Sequence, residues 1–81
     1  MDQQKVFSDV VAILKPFVKN PTALEHVQME TSILKDLKVN SARLVDVVLE
    51  IEDKFGIEVK DDEADKVKTV GDAVSLIMAH A

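Results

Sequence analysis

Hydroxyl, imidazole and carboxylate groups make up the reactive repertoire of this chain, because its 81 residues include no cysteine and therefore no thiol nucleophile, thiolate ligand or disulfide. His26 and His80 lie far apart, outside any metal-ligand spacing and with no nucleophile signal near either, so both read as surface or partly buried histidines. Asp61, Asp62, Glu63 and Asp65 form an acidic run, but the glycine and distal glutamate of a calcium-binding EF-hand loop are missing. That run reads as a solvated helix start. Met29 and Met78 read as core fillers rather than ligands. No catalytic residue and no metal site is expected, and the chain is not expected to be an enzyme.

Ser41 is set apart by what surrounds it. In the stretch LKVNSARLVDVVLEIEDKFGIEV it stands between a long unpatterned segment and an amphipathic run. Serine at a helix start is ordinarily a cap. Here the end of a long loop exposes it, while backbone N–H groups and the positive end of the helix dipole favour a phosphodiester on its hydroxyl. The run that follows presents negative charge around a small apolar strip, so a group tethered at Ser41 would hang beside a docking surface.

Positioning such a serine requires helices on either side of a long connection. Val6, Phe7, Val10, Val11 and Leu14 recur at steps of three and four, predicting a helix from Gln3 to Lys15 that ends or bends near Pro16. Phe17 and Val18 can then dock on the core. Residues 19–40 show no sustained period and read as a connection with one short turn around Ala23 to His26, pinned to one end of the bundle by Ile33, Leu34 and Leu37. A second helix is expected from Ser41 to Phe55, with Asn40 or Ser41 as N-cap and Gly56 as the left-handed residue that stops it. Its core face is Leu44, Val47, Val48, Ile51 and Phe55; its outer side carries Arg43, Asp46, Glu50 and Asp53 beside Ala42, Val45 and Leu49. Ile57-Glu58-Val59 reads as an extended strap. Asp61 and Asp62 are expected to cap a short third helix reaching about Lys66, and Thr69 with Asp72 forms a capping-box start for a fourth. Val70, Ala73, Val74, Ile77 and Met78 would be the buried stripe of that last helix. The expected fold class is all-α: a four-helix bundle with a short third helix and a long loop between helices I and II, occupying residues 1–81 as one domain.

Charge narrows the partners. Residues 1–40 hold five acids and five lysines, whereas residues 41–81 hold ten acids against five bases, so the net −5 lies wholly in the second half. Such a surface opposes nucleic acid and anionic membranes and favours basic protein partners. No apolar run approaches the roughly 18 residues of a membrane span, and the N-terminus lacks a basic leader region, so a soluble cytoplasmic protein is the expectation; a monomer is expected as well.

The run TSILKDLKVNSARLVDVVLEIEDKFGIEV followed by KVKTVGDAV resembles the acyl carrier proteins, whose signature reads roughly leucine-glycine-x-aspartate-serine-leucine before an acidic helix, then phenylalanine-glycine-isoleucine, then threonine-valine-glycine-aspartate. The resemblance is close over residues 31–74 and extends to the first helix by pattern. It implies that Ser41 receives 4′-phosphopantetheine from coenzyme A through a phosphopantetheinyl transferase, and that acyl groups ride on the arm as thioesters for fatty acid, lipid or related biosynthesis. It further implies partner enzymes of acyl-transferring or fatty-acid and polyketide type, whose basic docking patches meet Asn40, Ala42, Arg43, Val45, Asp46, Leu49, Glu50, Glu52 and Asp53. Val47, Ile51, Phe55 and Met78 are the expected lining of an acyl pocket. The alternatives are a carrier of amino acid or polyketide intermediates, or an unmodified helical interaction module. Where the family pattern has glycine, aspartate, leucine and an acid or small polar residue, this chain has Lys38, Asn40, Ala42 and Arg43. Those four departures cluster at the attachment point and point to a specialised carrier with a dedicated partner.

Overall fold

The computed structural model describes residues 2–80, apart from the side chain of Pro21. Among these residues the helices are α1 (Gln3–Leu14), α2 (Ser41–Phe55), α3 (Asp61–Ala64) and α4 (Val70–His80), with 3₁₀ turns at Lys15–Phe17 and Pro21–Leu24. The Asp2 carboxylate accepts from the Gln4 N–H at 3.1 Å and so caps α1, which buries Val6, Val10, Ile13 and Leu14 along one stripe. The 3₁₀ turn containing Pro16 ends it, since proline offers no N–H to continue the helical ladder. α1 packs more extensively on α4 than on α2. This stripe packs with Val47 and Ile51 of α2 and with Val70, Val74 and Ile77 of α4 into an aliphatic core in which each such side chain contributes about 1.5–3 kcal/mol.

The capping box expected at α4 is present in both directions. The Asp72 N–H donates to the Thr69 hydroxyl at 3.1 Å, and the Thr69 N–H donates to the Asp72 carboxylate at 3.0 Å, where the Lys68 N–H also donates at 3.1 Å. Burial raises the Asp72 pKa, but the hydrogen bonds from the Thr69 and Lys68 backbone and the Thr69 hydroxyl outweigh it and hold the carboxyl below its ordinary value. Met78 departs from expectation: α4 buries Val70, Ala73, Val74 and Ile77, while Met78 is 37% exposed. One residue beyond Ile77 rotates its side chain about 100° past the buried stripe, towards solvent.

The long connection is pinned more firmly than its lack of period suggests. Val18, Ile33, Leu37 and Val39 are buried, whereas Leu34, expected as a third pin, is exposed. Backbone pairing to the start of α4 does much of the holding. Ile33 N–H donates to the Lys68 carbonyl at 3.0 Å, Val70 N–H to the Thr31 carbonyl at 3.0 Å and Gly71 N–H to the Met29 carbonyl at 2.7 Å, around an antiparallel bridge between Ser32 and Thr69. A β-carbon on Gly71 would stand 2.8 Å from the Met29 carbonyl oxygen, so this close approach requires glycine.

Gly56 terminates α2 in the left-handed conformation at φ 63°, as its position implies. The strap that follows is clamped from α2: the Ile57 N–H donates to the Glu52 carbonyl at 3.2 Å and the Val59 N–H to the Glu52 carboxylate at 2.8 Å. α3 is shorter than expected and its cap position is Lys60, not Asp61 or Asp62, which fall inside the first turn. There they complement the helix dipole, and the chain then turns so that Val67 enters the core. His80 Nε2 lies 2.8 Å from the Glu63 carboxylate, joining the end of α4 to α3. That hydrogen bond, with another from the Lys60 N–H, holds the Glu63 carboxyl below its ordinary value.

Candidate functional site

Asn40, not Ser41, caps α2: its side-chain oxygen accepts the Ala42 N–H at 2.9 Å, and its carbonyl accepts the Arg43 and Leu44 N–H groups at 2.8 and 3.1 Å. Ser41 is the first helical residue and is exposed. Its hydroxyl is therefore free of the duty that most often explains a serine at this place.

Just before it, Lys38 is held at φ 55°, a left-handed backbone conformation that glycine adopts without strain and a lysine does not. This turn brings Val39 into the core and delivers Asn40 to the cap position. Next to the start of α2 opens a cavity of about 680 Å³, lined by the apolar Pro16, Phe17, Leu34 and Val39 and the polar Lys19, Lys38, Asn40 and Arg43. Phe17 and Pro16 also wall a second groove, of about 500 Å³, which runs along the α1–α2 seam to Glu50, Asp53 and Lys54.

Down the outer side of α2 two strips lie side by side. Ala42, Val45 and Leu49 are exposed, Val45 and Leu49 at 61% and 56%. Next to them, Arg43 pairs with Asp46 at 3.1 Å, and Glu50 and Asp53 face solvent. Glu52 does not join them, because its carboxylate is half-buried and bound to the strap. Of the expected pocket lining, Val47 and Ile51 are fully buried, Phe55 packs against the core, and Met78 sits apart on the far surface of α4 beside Gln3, Val74, Ser75 and Ala79. Phe17 and Leu34 were legible only as core and pinning residues and Lys19 carried no signal, so their meeting with Asn40 and Arg43 in one groove is a product of the fold; the lysine at a position where glycine is usual is the one pointer to the turn at residue 38.

Residues 19–77 match the family model described as the phosphopantetheine attachment site. The chain belongs to the acyl carrier protein family. It is 36% identical over 80 residues to the acyl carrier protein of Coprothermobacter proteolyticus, covering 99% of this chain and 95% of that one. It is 48% identical over 56 residues to the acyl carrier protein of Lactobacillus acidophilus, covering 69% of this chain and 70% of the relative. The solved structure of the acyl carrier protein from Enterococcus faecalis, described there as highly thermostable, superposes with a TM-score of 0.81 at 32% identity over the whole of both chains. The carrier fold is thus shared from end to end.

As an acyl carrier protein the chain is a carrier and not an enzyme, and the family's prosthetic group is covalent 4′-phosphopantetheine. The residues present are compatible with that group: the start of α2 offers an exposed hydroxyl that does not cap the helix, and the groove nearby is lined by Lys19, Lys38 and Arg43. Transferases and acyl-handling enzymes are the partners that such a carrier serves. Among the described residues no helix is long and apolar enough to cross a membrane.

Proposed function

We propose that Ser41 is the attachment residue for 4′-phosphopantetheine and that the chain, as one carrier domain over residues 1–81, presents acyl thioesters to the enzymes of a lipid or related biosynthetic route. The observation that carries this reading is the division of labour at the start of α2, where Asn40 caps the helix and leaves the Ser41 hydroxyl exposed. The prosthetic group supplies the thiol that the cysteine-free chain lacks. Around it the protein provides an address. Ala42, Val45 and Leu49 offer apolar contact, while Asp46, Glu50 and Asp53 attract basic patches, a combination suited to fast encounter and ready release. Val47, Ile51 and Phe55 would shelter an aliphatic cargo, each buried methylene contributing about 0.8 kcal/mol.

Asn40, Ala42 and Arg43 support a specialised role. Ala42 offers less apolar surface than leucine, and Arg43 sets a positive charge amid an otherwise acidic face, which disfavours a generic basic partner and selects a dedicated one. A cytoplasmic monomer is the state in which such a shuttle works best.

Intact mass decides the attachment. Incubated with coenzyme A and a broad-specificity phosphopantetheinyl transferase, the wild-type chain should gain one phosphopantetheine and Ser41→Ala none. Addition to both, or to neither, overturns the assignment.

A further inference from the structure

The chain carries 15 acidic and 10 basic residues, yet the groove flanking Ser41 is lined by three bases and no acid. Lys19 arrives from the connection between the two 3₁₀ turns, Lys38 from the turn before the cap and Arg43 from the first turn of α2, so three separate segments converge on one cationic lining. The nearest acid on α2, Asp46, holds one guanidinium nitrogen of Arg43 at 3.1 Å, which fixes the side chain while leaving other N–H donors of the fork open. Lys38 occupies a left-handed backbone position that any β-carbon strains, and it is one of the residues lining the groove. The second groove, on the far side of Phe17, carries Glu50 and Asp53 with Lys54 and has no such bias.

Resting on the assignment of Ser41, we propose that the groove is an anion seat for the tethered arm: Lys19, Lys38 and Arg43 hold the phosphodiester that links the arm to Ser41, turning the arm towards the end of α1 rather than towards α3. The seat would give the arm a resting position on the protein surface from which a partner must draw it. Charge complementarity selects the phosphodiester as occupant, because Asn40 and Arg43, on either side of Ser41 in the chain, both line the groove and no carboxylate does.

Amide NMR spectra of the unloaded and loaded chain test this. Beyond the immediate neighbours of Ser41, loading should shift the amides of Phe17, Lys19 and Leu34 and leave those of α3 in place. In the loaded variant Lys19→Ala, Lys38→Ala, Arg43→Ala those shifts should be lost, and phosphorus relaxation should fall towards that of a free arm. Lys38→Ala keeps a β-carbon at the left-handed position, and circular dichroism checks that the fold persists. A mass gain on the wild type with shifts along α3, or with unmoved groove amides, overturns the seat and leaves the three cations to the carboxylates of a partner. Absence of any mass gain removes the Ser41 assignment itself, and the seat with it.

Discussion

Lys38 is the residue whose side chain and backbone pull in opposite directions. A lysine at φ 55° bears a left-handed penalty of about 1–2 kcal/mol, only part of which glycine would return by its greater freedom in the unfolded chain. Lys38→Gly is therefore expected to stabilise the fold by about 0.5–1 kcal/mol, measured as a higher urea midpoint with an unchanged slope. A lower midpoint would mean that the ammonium group contributes more to the folded chain than the turn costs. Ser41 presents the complementary case, because relieving it of capping costs nothing when Asn40 serves as well.

The long connection owes its position to α4. Its backbone pairs with the start of that helix, and Gly71 is the point of closest approach. Gly71→Ala should destabilise the chain by about 1–2 kcal/mol, because the displaced Met29 carbonyl outweighs the helix propensity gained in a first turn. Amide exchange at Ile33 and Gly71 would rise with it; an unchanged rate there would show that the connection is anchored by Ile33 and Leu37 alone. This pairing is also where reading the sequence stopped short. Helices α1, α2 and α4, the Thr69–Asp72 box and the Gly56 stop were legible because each is written in residues three or four apart. The contacts of Thr31 and Met29 with Val70 and Gly71 join segments some 40 residues apart through main-chain atoms, which carry no residue-type signature. The same holds for the groove beside Ser41, assembled from Lys19, Leu34 and Arg43 by the fold and not by spacing. Met78 is exposed because periodicity names a stripe but not where its edge meets solvent, and Leu34 because an aliphatic residue in an unpatterned segment does not by its type alone say which side it turns inward.

Taken as one body, the chain couples its stability to acid at two places on α4. Asp72 at its start and the Glu63 partner of His80 at its end both have lowered pKa values in the folded state, from ordinary values of 3.8 and 4.5. A depressed carboxylate stabilises the fold above its unfolded pKa, and that stabilisation is lost as the pH falls through the folded value. Urea midpoints should therefore decline from about pH 5 downward, and Asp72→Asn should be less stable at neutral pH with a shallower decline. Parallel curves for variant and wild type would contradict this account.

Because Glu52 fastens the strap through Val59, swapping charges one by one down α2 will not report a single quantity. Lysine at Glu50 or Asp53 alters only what an incoming enzyme meets, whereas lysine at Glu52 also unfastens the segment leading to α3. A loss of recognition at that position would be a hinge coming loose rather than a handshake refused, and hydrogen exchange at Val59 tells the two apart.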